Sequence, residues 1–239
     1  MKGKVLIYGG SGAVGSQTAK ILKEQGYDLH LVGSDKEKLE KIAEGLGATM
    51  TVADVKDSAS FEKVSEDAGK ELVGLIYAVG TINLKSLRRL EEEDFLNDFK
   101  INAMGAALAV KGAMTALKKG KGSIVLYSSV AVAQGLSMHA SLSMCKGAVE
   151  GLVRSLSAEL APSIRVNGIA PSILADSSLS SGILRDEQTL EKMAATHALK
   201  RLGKADDIAK LTAFLVSKDS DWITGQIMAV DGGRSVIQA

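Results

Sequence analysis

The stretch KVLIYGGSGAVGS, Lys4 to Ser16, decides the fold. An apolar, partly β-branched run of strand character leads straight into a glycine-rich turn, and the turn opens a segment of helical period at residues 13–25. Backbone N–H groups at the start of that helix are stripped of side chains by glycine. Together with the helix dipole they make an anion site suited to a pyrophosphate. A glycine cluster alone would say little; one that follows a strand, precedes a helix and lies in the first β-α unit has the context the chemistry requires.

Working outward, short apolar runs alternate with longer helical stretches. DLHLV precedes a helix at 36–45, ATMTV one at 58–68, LVGLIYA one at 92–118, and SIVLYS one at 142–160; IRVNGIA and QIMAV follow. Near-continuous apolar strands separated by helices predict an α/β fold, a doubly wound parallel sheet covered on both faces as a three-layer sandwich. No repeat or low-complexity linker divides the chain, so a single domain over 1–239 is expected. The Ser-rich segment 176–198, ending in a short amphipathic helix, interrupts the alternation and is expected to cover the strand ends.

Composition narrows the function. Lys and Arg number 29 against 28 Asp and Glu, a net charge of +1 that gives no footprint for nucleic acid or an anionic membrane surface. A small-molecule partner is expected instead. Cys145 is the single cysteine and reads as a small buried side chain in a reducing compartment. The apolar stretch after Met1 falls short of the ~7 to 15 residues of a signal-peptide core, and none approaches the ~18 of a membrane span. A soluble, cytoplasmic protein is expected. No His, Cys, Asp or Glu cluster has metal-ligand spacing. Tyr8, Tyr77 and Tyr127 read as strand-end or core aromatics, Trp222 as structural, and His30 and His197 as lacking evident partners.

Several segments, in order and over essentially the whole length, make the chain resemble the short-chain dehydrogenase/reductase family, with its Rossmann fold. The family's Gly-x-x-x-Gly-x-Gly loop corresponds to Gly9, Ala13 and Gly15, with Ser11, Gly12 and Val14 between them and alanine in the middle glycine's place. Asp54 and Val55, at the end of the third strand, resemble the pair that holds adenine. YAVG keeps Ala78 and Gly80 of a usual Asn-Asn-Ala-Gly, and RVNGIAPSIL, with Pro171 and Ile173, resembles the segment that contacts the nicotinamide amide, Ser172 replacing a glycine. At the end of the second strand, Gly33 and Ser34 stand where an acidic residue would accept from a ribose hydroxyl or an arginine would pair with a phosphate. Neither is charged, and the room they leave favours NADP(H), with NAD(H) as the alternative.

The resemblance also carries over a catalytic set. Asn102 corresponds to the asparagine of the water relay, Ser129 to the serine that holds the substrate oxygen, and Lys146 to the lysine that binds the nicotinamide ribose. The tyrosine that handles the proton would stand four residues before Lys146, where this chain has Leu142. His139, seven residues before Lys146, is the nearest titratable substitute, at a spacing similar to that of the family's enoyl reductases. Water held by Lys146 and Asn102 is another. Three functions remain open: an oxidoreductase on a carbonyl, hydroxyl or activated alkene; a catalytically silent dinucleotide-binding homologue acting as sensor or partner subunit; and a non-redox lyase or isomerase. Resemblance further implies a homo-oligomer, dimer or homotetramer, built through the helices around 101–117 and 142–160.

Overall fold

The computed structural model describes residues 2–237. Its centre is one seven-stranded parallel sheet in the order β3-β2-β1-β4-β5-β6-β7. The strands are β1 (Lys4–Tyr8), β2 (Asp28–Gly33), β3 (Thr49–Val52), β4 (Gly74–Tyr77), β5 (Ser123–Tyr127), β6 (Arg165–Pro171) and β7 (Ile227–Val230). Between them run helices α1 (Ala13–Glu24), α2 (Lys36–Leu46), α3 (Ser60–Ala68), α4 (Glu92–Phe99), α5 (Gly105–Gly120), α6 (Ala140–Leu160), α7 (Glu187–Ala195) and α8 (Ala205–Val216). The expected doubly wound sandwich is what forms. Among the described residues no helix is long and apolar enough to cross a membrane.

Side chains alternate across the sheet with period two, so each strand feeds both faces. Leu6 and Tyr8 pack with α3, α5 and α6, whereas Val5 and Ile7 pack with α1, α2 and α8. Both faces of the sheet are buried, which is why the strands read as near-continuous apolar runs. Strand order reverses between β1 and β4, and the connections from their carboxyl ends leave in opposite directions, opening a crevice there.

Three local readings need correction. Residues 92–118 are not one helix, because a π-helical turn, Lys100–Met104, separates α4 from α5. Tyr77 causes it: its hydroxyl donates to the Ile101 carbonyl at 2.6 Å, and Gly105 N–H bonds instead to Lys100 O. Gly105 has to be glycine here, since a Cβ would lie 2.1 Å from the Tyr77 hydroxyl. A side chain inserted into the helical ladder is a recognised origin of such a bulge. Second, β3 stops at Val52, so Asp54 and Val55 lie in the loop beyond it. Third, Trp222 is 97% exposed in the loop before β7, and no described residue buries it.

Candidate functional site

Two adjoining cavities run along the carboxyl ends of the strands and share Val79, Gly80 and Thr81. One is walled by Gly9, Ser11, Gly33, Ser34, Asp54 and Val55. The other takes Val14 and Ala78 on one side, Ser129 and Lys146 on another, and Pro171 to Leu174 on a third. Residues chosen from motifs scattered over the chain thus meet in one cleft. Gly12, Ala13 and Gly15 complete the loop without lining either cavity.

The loop is shaped by contacts that exclude side chains. Gly9 has φ +77°, a left-handed backbone that suits glycine, and a Cβ on Gly15 would sit 2.1 Å from the Gly9 carbonyl oxygen. Gly12 N–H closes the turn on Gly9 O at 2.9 Å, and Gly12 is the N-cap of α1, which has no acidic residue in its first turn. A bare helix N-terminus beside a cavity fits an anionic pyrophosphate. Alanine at position 13 leaves this arrangement intact. Asp35, the acidic group nearest the end of β2, caps α2: its carboxylate accepts from Lys38 N–H at 3.1 Å and pairs with Lys38 Nζ at 2.8 Å. Asp54 is similarly folded back on Lys56 N–H at 2.9 Å.

Lys146 lies on α6 with 7% of its surface exposed, and Nζ donates to the Tyr127 carbonyl at 2.9 Å. Burial pulls its pKa down to about 8, against a smaller upward pull from Cys145 and Asp98. Asn102 occupies the π turn, fully enclosed; its Nδ2 donates to Thr81 Oγ1 and to Asp98 O, both at 2.8 Å. Gly80 is pressed between the two, since a Cβ there would come within 2.9 Å of Asn102 Oδ1 and 3.2 Å of Lys146 Nζ. Ser129 follows β5 on the cleft wall, its Oγ accepting from Ala131 N–H at 3.2 Å, while Ser128 turns away to Glu150.

Leu142 lies one turn before Lys146 on the same wall, 5% exposed. Among the described residues, Tyr127 shares the cavity with Leu142. Tyr8 Oη is buried without a partner among the described residues, Tyr77 is held by Ile101 O, Tyr127 by Thr212 at 2.8 Å, and Tyr27 lines neither cavity. Burial drives the Tyr8, Tyr77 and Tyr127 phenols far above their ordinary range. His139 is the N-cap residue of α6 and borders the cleft, with Nδ1 donating to Ser137 O at 2.7 Å.

Cys145 is buried as expected. The other two histidines do have partners, contrary to the sequence reading. His30 lies between Thr49 and Thr51 at 2.9 and 3.0 Å, and burial, aided by the charge of Lys4, lowers its pKa to about 4. His197 meets Ser172 Oγ at 2.9 Å. Thr81 and a buried Asp98, which accepts from Thr81 and Ser141 hydroxyls at 2.7 and 2.6 Å, also went unread. No motif flags them, since each pair is far apart in sequence. Ser177, Leu179, Ser180, Ile183 and Met193, all within 176–198, face the cavity that holds Ser129 and Lys146. Among the described residues no His, Cys, Asp and Glu group could hold a metal ion.

Comparison with known proteins agrees with this fold. The family model described as enoyl-(acyl carrier protein) reductase matches residues 10–235. Carbonyl reductase family member 4 of Danio rerio is 30% identical over 241 residues, covering 97% of this chain and 98% of that protein. The inactive 2-(S)-hydroxypropyl-CoM dehydrogenase 2 of Xanthobacter autotrophicus is 31% identical over 229 residues, covering 92% and 100%. A solved structure, ElxO with NADP bound, superposes with a TM-score of 0.90 at 27% identity over 98% of this chain and 99% of that one. Fold and cleft together define a nucleotide-binding α/β protein of dehydrogenase type. The chain belongs to the short-chain dehydrogenase/reductase family.

Proposed function

We infer that the chain is an NADP(H)-dependent oxidoreductase acting on a carbonyl, a hydroxyl or an activated alkene of a modest apolar molecule. The observation that carries this reading is the convergence of Ser129, Lys146 and Pro171–Ile173 on one cavity that continues into the pocket beside the glycine loop. When bound, the dinucleotide supplies or accepts a hydride. Backbone amides from Gly9 to Gly15 hold its pyrophosphate, Asp54 and Val55 flank the adenine, and Ala78, Gly80, Pro171 and Ile173 border the nicotinamide half. Lys146 donates to the ribose hydroxyls, Asn102 fixes the backbone beside it, and Ser129 orients the substrate oxygen. Preference for the phosphorylated cofactor is supported by the uncharged Gly33 and Ser34, by the engagement of Asp35 as a helix cap, and by the NADP named for ElxO.

Leu142 takes the place of the family's proton-handling tyrosine. Reduction of an enone or enoyl compound suits that replacement, because hydride goes to carbon and the enolate is protonated afterwards. His139, bordering the cleft, is one group able to serve it. The test is NADPH consumption against a panel of enones and ketones; turnover with at least one is expected, and tight NADPH binding with no turnover across the panel contradicts the reading.

A second reading, a silent dinucleotide-binding homologue, draws support from the leucine on the wall, from the engagement of the Tyr127 hydroxyl by Thr212, and from a relative whose name calls it inactive. Activity that appears only in Leu142→Tyr would establish it. In either case we expect a homo-oligomer formed through α5 and α6, whose flanks expose Met104 and Met144 by 40% and 64%. Sedimentation as a monomer would remove that expectation.

A further inference from the structure

Ser172 follows β6 and lines the same cavity as Ser129, Leu142 and Lys146. Its Oγ lies 2.9 Å from Nε2 of His197, a ring only 1% exposed that stands behind the cleft wall just after α7. The other ring nitrogen, Nδ1, lies 2.9 Å from the Met193 carbonyl oxygen. A carbonyl can only accept, so Nδ1 carries a hydrogen in every protonation state. In the neutral ring Nε2 is therefore the acceptor and the Ser172 hydroxyl the donor. Thr196, 3.4 Å from Nδ1, donates its own hydroxyl to Met193 O at 2.7 Å and leaves that assignment unchanged. A hydroxyl on the cavity wall, a base behind it, and a third group fixing the base's tautomer is one recurring arrangement for activating a hydroxyl.

We propose that Ser172 and His197 form the proton relay for the substrate oxygen, in the place left by Leu142. The proposal rests on the oxidoreductase reading above. In carbonyl reduction a hydride from the reduced nicotinamide cofactor adds to carbon, and the carbonyl π pair moves to oxygen. That oxygen takes the Ser172 hydroxyl proton while the His197 imidazolium passes its Nε2 proton to Oγ. The ring is left neutral and regains its proton through Ser172 from water that enters the cleft after the product leaves. In alcohol oxidation the same path runs backwards: the substrate proton moves to Oγ, the serine proton to Nε2, and the hydride to the oxidised cofactor. Ser172 touches the substrate; His197 acts through it.

Three charged groups lie near the ring. Asp231, just after β7, has its carboxylate within reach of the His197 charge, and against the upward pull of burial its pKa is lowered mainly by hydrogen bonds from Ser235 and Gly233 N–H. Arg234 is on the cleft wall, and Lys200 turns its ammonium to Ala195 O at 3.4 Å. The backbone of Gly232 closes one side of the ring, where a Cβ would lie 3.5 Å from His197 Cβ.

The experiment pairs a turnover profile with a readout that needs no turnover. Nitrogen-15 NMR of the histidine rings, without cofactor, is expected to show His197 at high pH with hydrogen on Nδ1 and none on Nε2, and its titration should move in Ser172→Ala. With NADPH and a reducible ketone, the rate should fall with rising pH as His197 loses its proton. His197→Gln should lose that limb and about 10²-fold or more in rate, as general acid catalysis is typically worth. Ser172→Thr should keep the limb and His139→Asn should leave it in place. An Nε2-protonated ring at high pH overturns the relay. So does a His197→Gln profile of wild-type shape, or loss of the limb in His139→Asn alone; in each case the oxidoreductase reading survives. Absence of any turnover by the wild-type protein overturns both.

Discussion

Replacing Lys146 with methionine removes a charge that the fold pays to bury. The drop of this side chain from an ordinary 10.5 to about 8 is caused first by burial. At neutral pH it corresponds to about 3 kcal/mol of destabilisation relative to an uncharged group. Methionine matches the lysine stem in length but gives up the hydrogen bond to Tyr127 O, worth about 1 kcal/mol. Lys146→Met is therefore about 2 kcal/mol more stable without cofactor at pH 7, a rise of about 4–8 °C in Tm for a chain of this size. The sign follows from linkage. Because the folded pKa lies below the unfolded one, the penalty is complete below about 8 and disappears as pH climbs from there to 10.5, where wild type becomes the more stable by the hydrogen bond it keeps. Urea unfolding at pH 7 and near pH 10.5, without nucleotide, measures both ends. Equal stability at pH 7, or a difference that does not change with pH, refutes the reasoning. Saturating NADPH should then stabilise wild type much more than the variant, because the ammonium is the ribose's donor.

Gly15→Ala forces a methyl against the Gly9 carbonyl, 2.1 Å away, so NADPH affinity should fall at least about tenfold at a stability cost of about 1–3 kcal/mol, read by titration and by urea. Tyr77→Phe strips Ile101 O of its hydroxyl donor and should cost about 1–3 kcal/mol in urea unfolding while weakening NADPH binding through Asn102. Asp35→Ala removes the α2 cap, at about 0.5–2 kcal/mol, and should leave the ratio of NADPH to NADH affinity unchanged; a selective loss of NADH affinity would make Asp35 a ribose ligand instead.

The fold was legible because both faces of the sheet are buried. A strand such as Lys4–Tyr8 has no polar face to blur it, and the glycines after it mark its end. The nucleotide side of the cleft was legible for a related reason: Gly9, Ser34 and Asp54 follow the first three strands in turn, so local motifs become neighbours once the strands align. What escaped depends on tertiary contacts. The break between α4 and α5 is imposed by a hydroxyl 24 residues earlier in the chain, and within 92–118 only Gly105 marks it. His197 and Ser172 are 25 residues apart, the serine just before the segment that interrupts the alternation and the histidine near its end. Trp222 was misread for the opposite reason: its bulk suggests burial, but its loop receives no cover from any described residue.

The account depends on a nucleotide lying across the strand ends, held by main-chain amides and the Lys146 ammonium. Isothermal titration of the unmodified protein with NADPH and with NADH tests this most directly. Saturable binding is predicted, tighter for NADPH, and reduced in Gly15→Ala and Lys146→Met. No heat from either nucleotide at about 1 mM, a concentration that would reveal even about 4 kcal/mol of binding free energy, would contradict it.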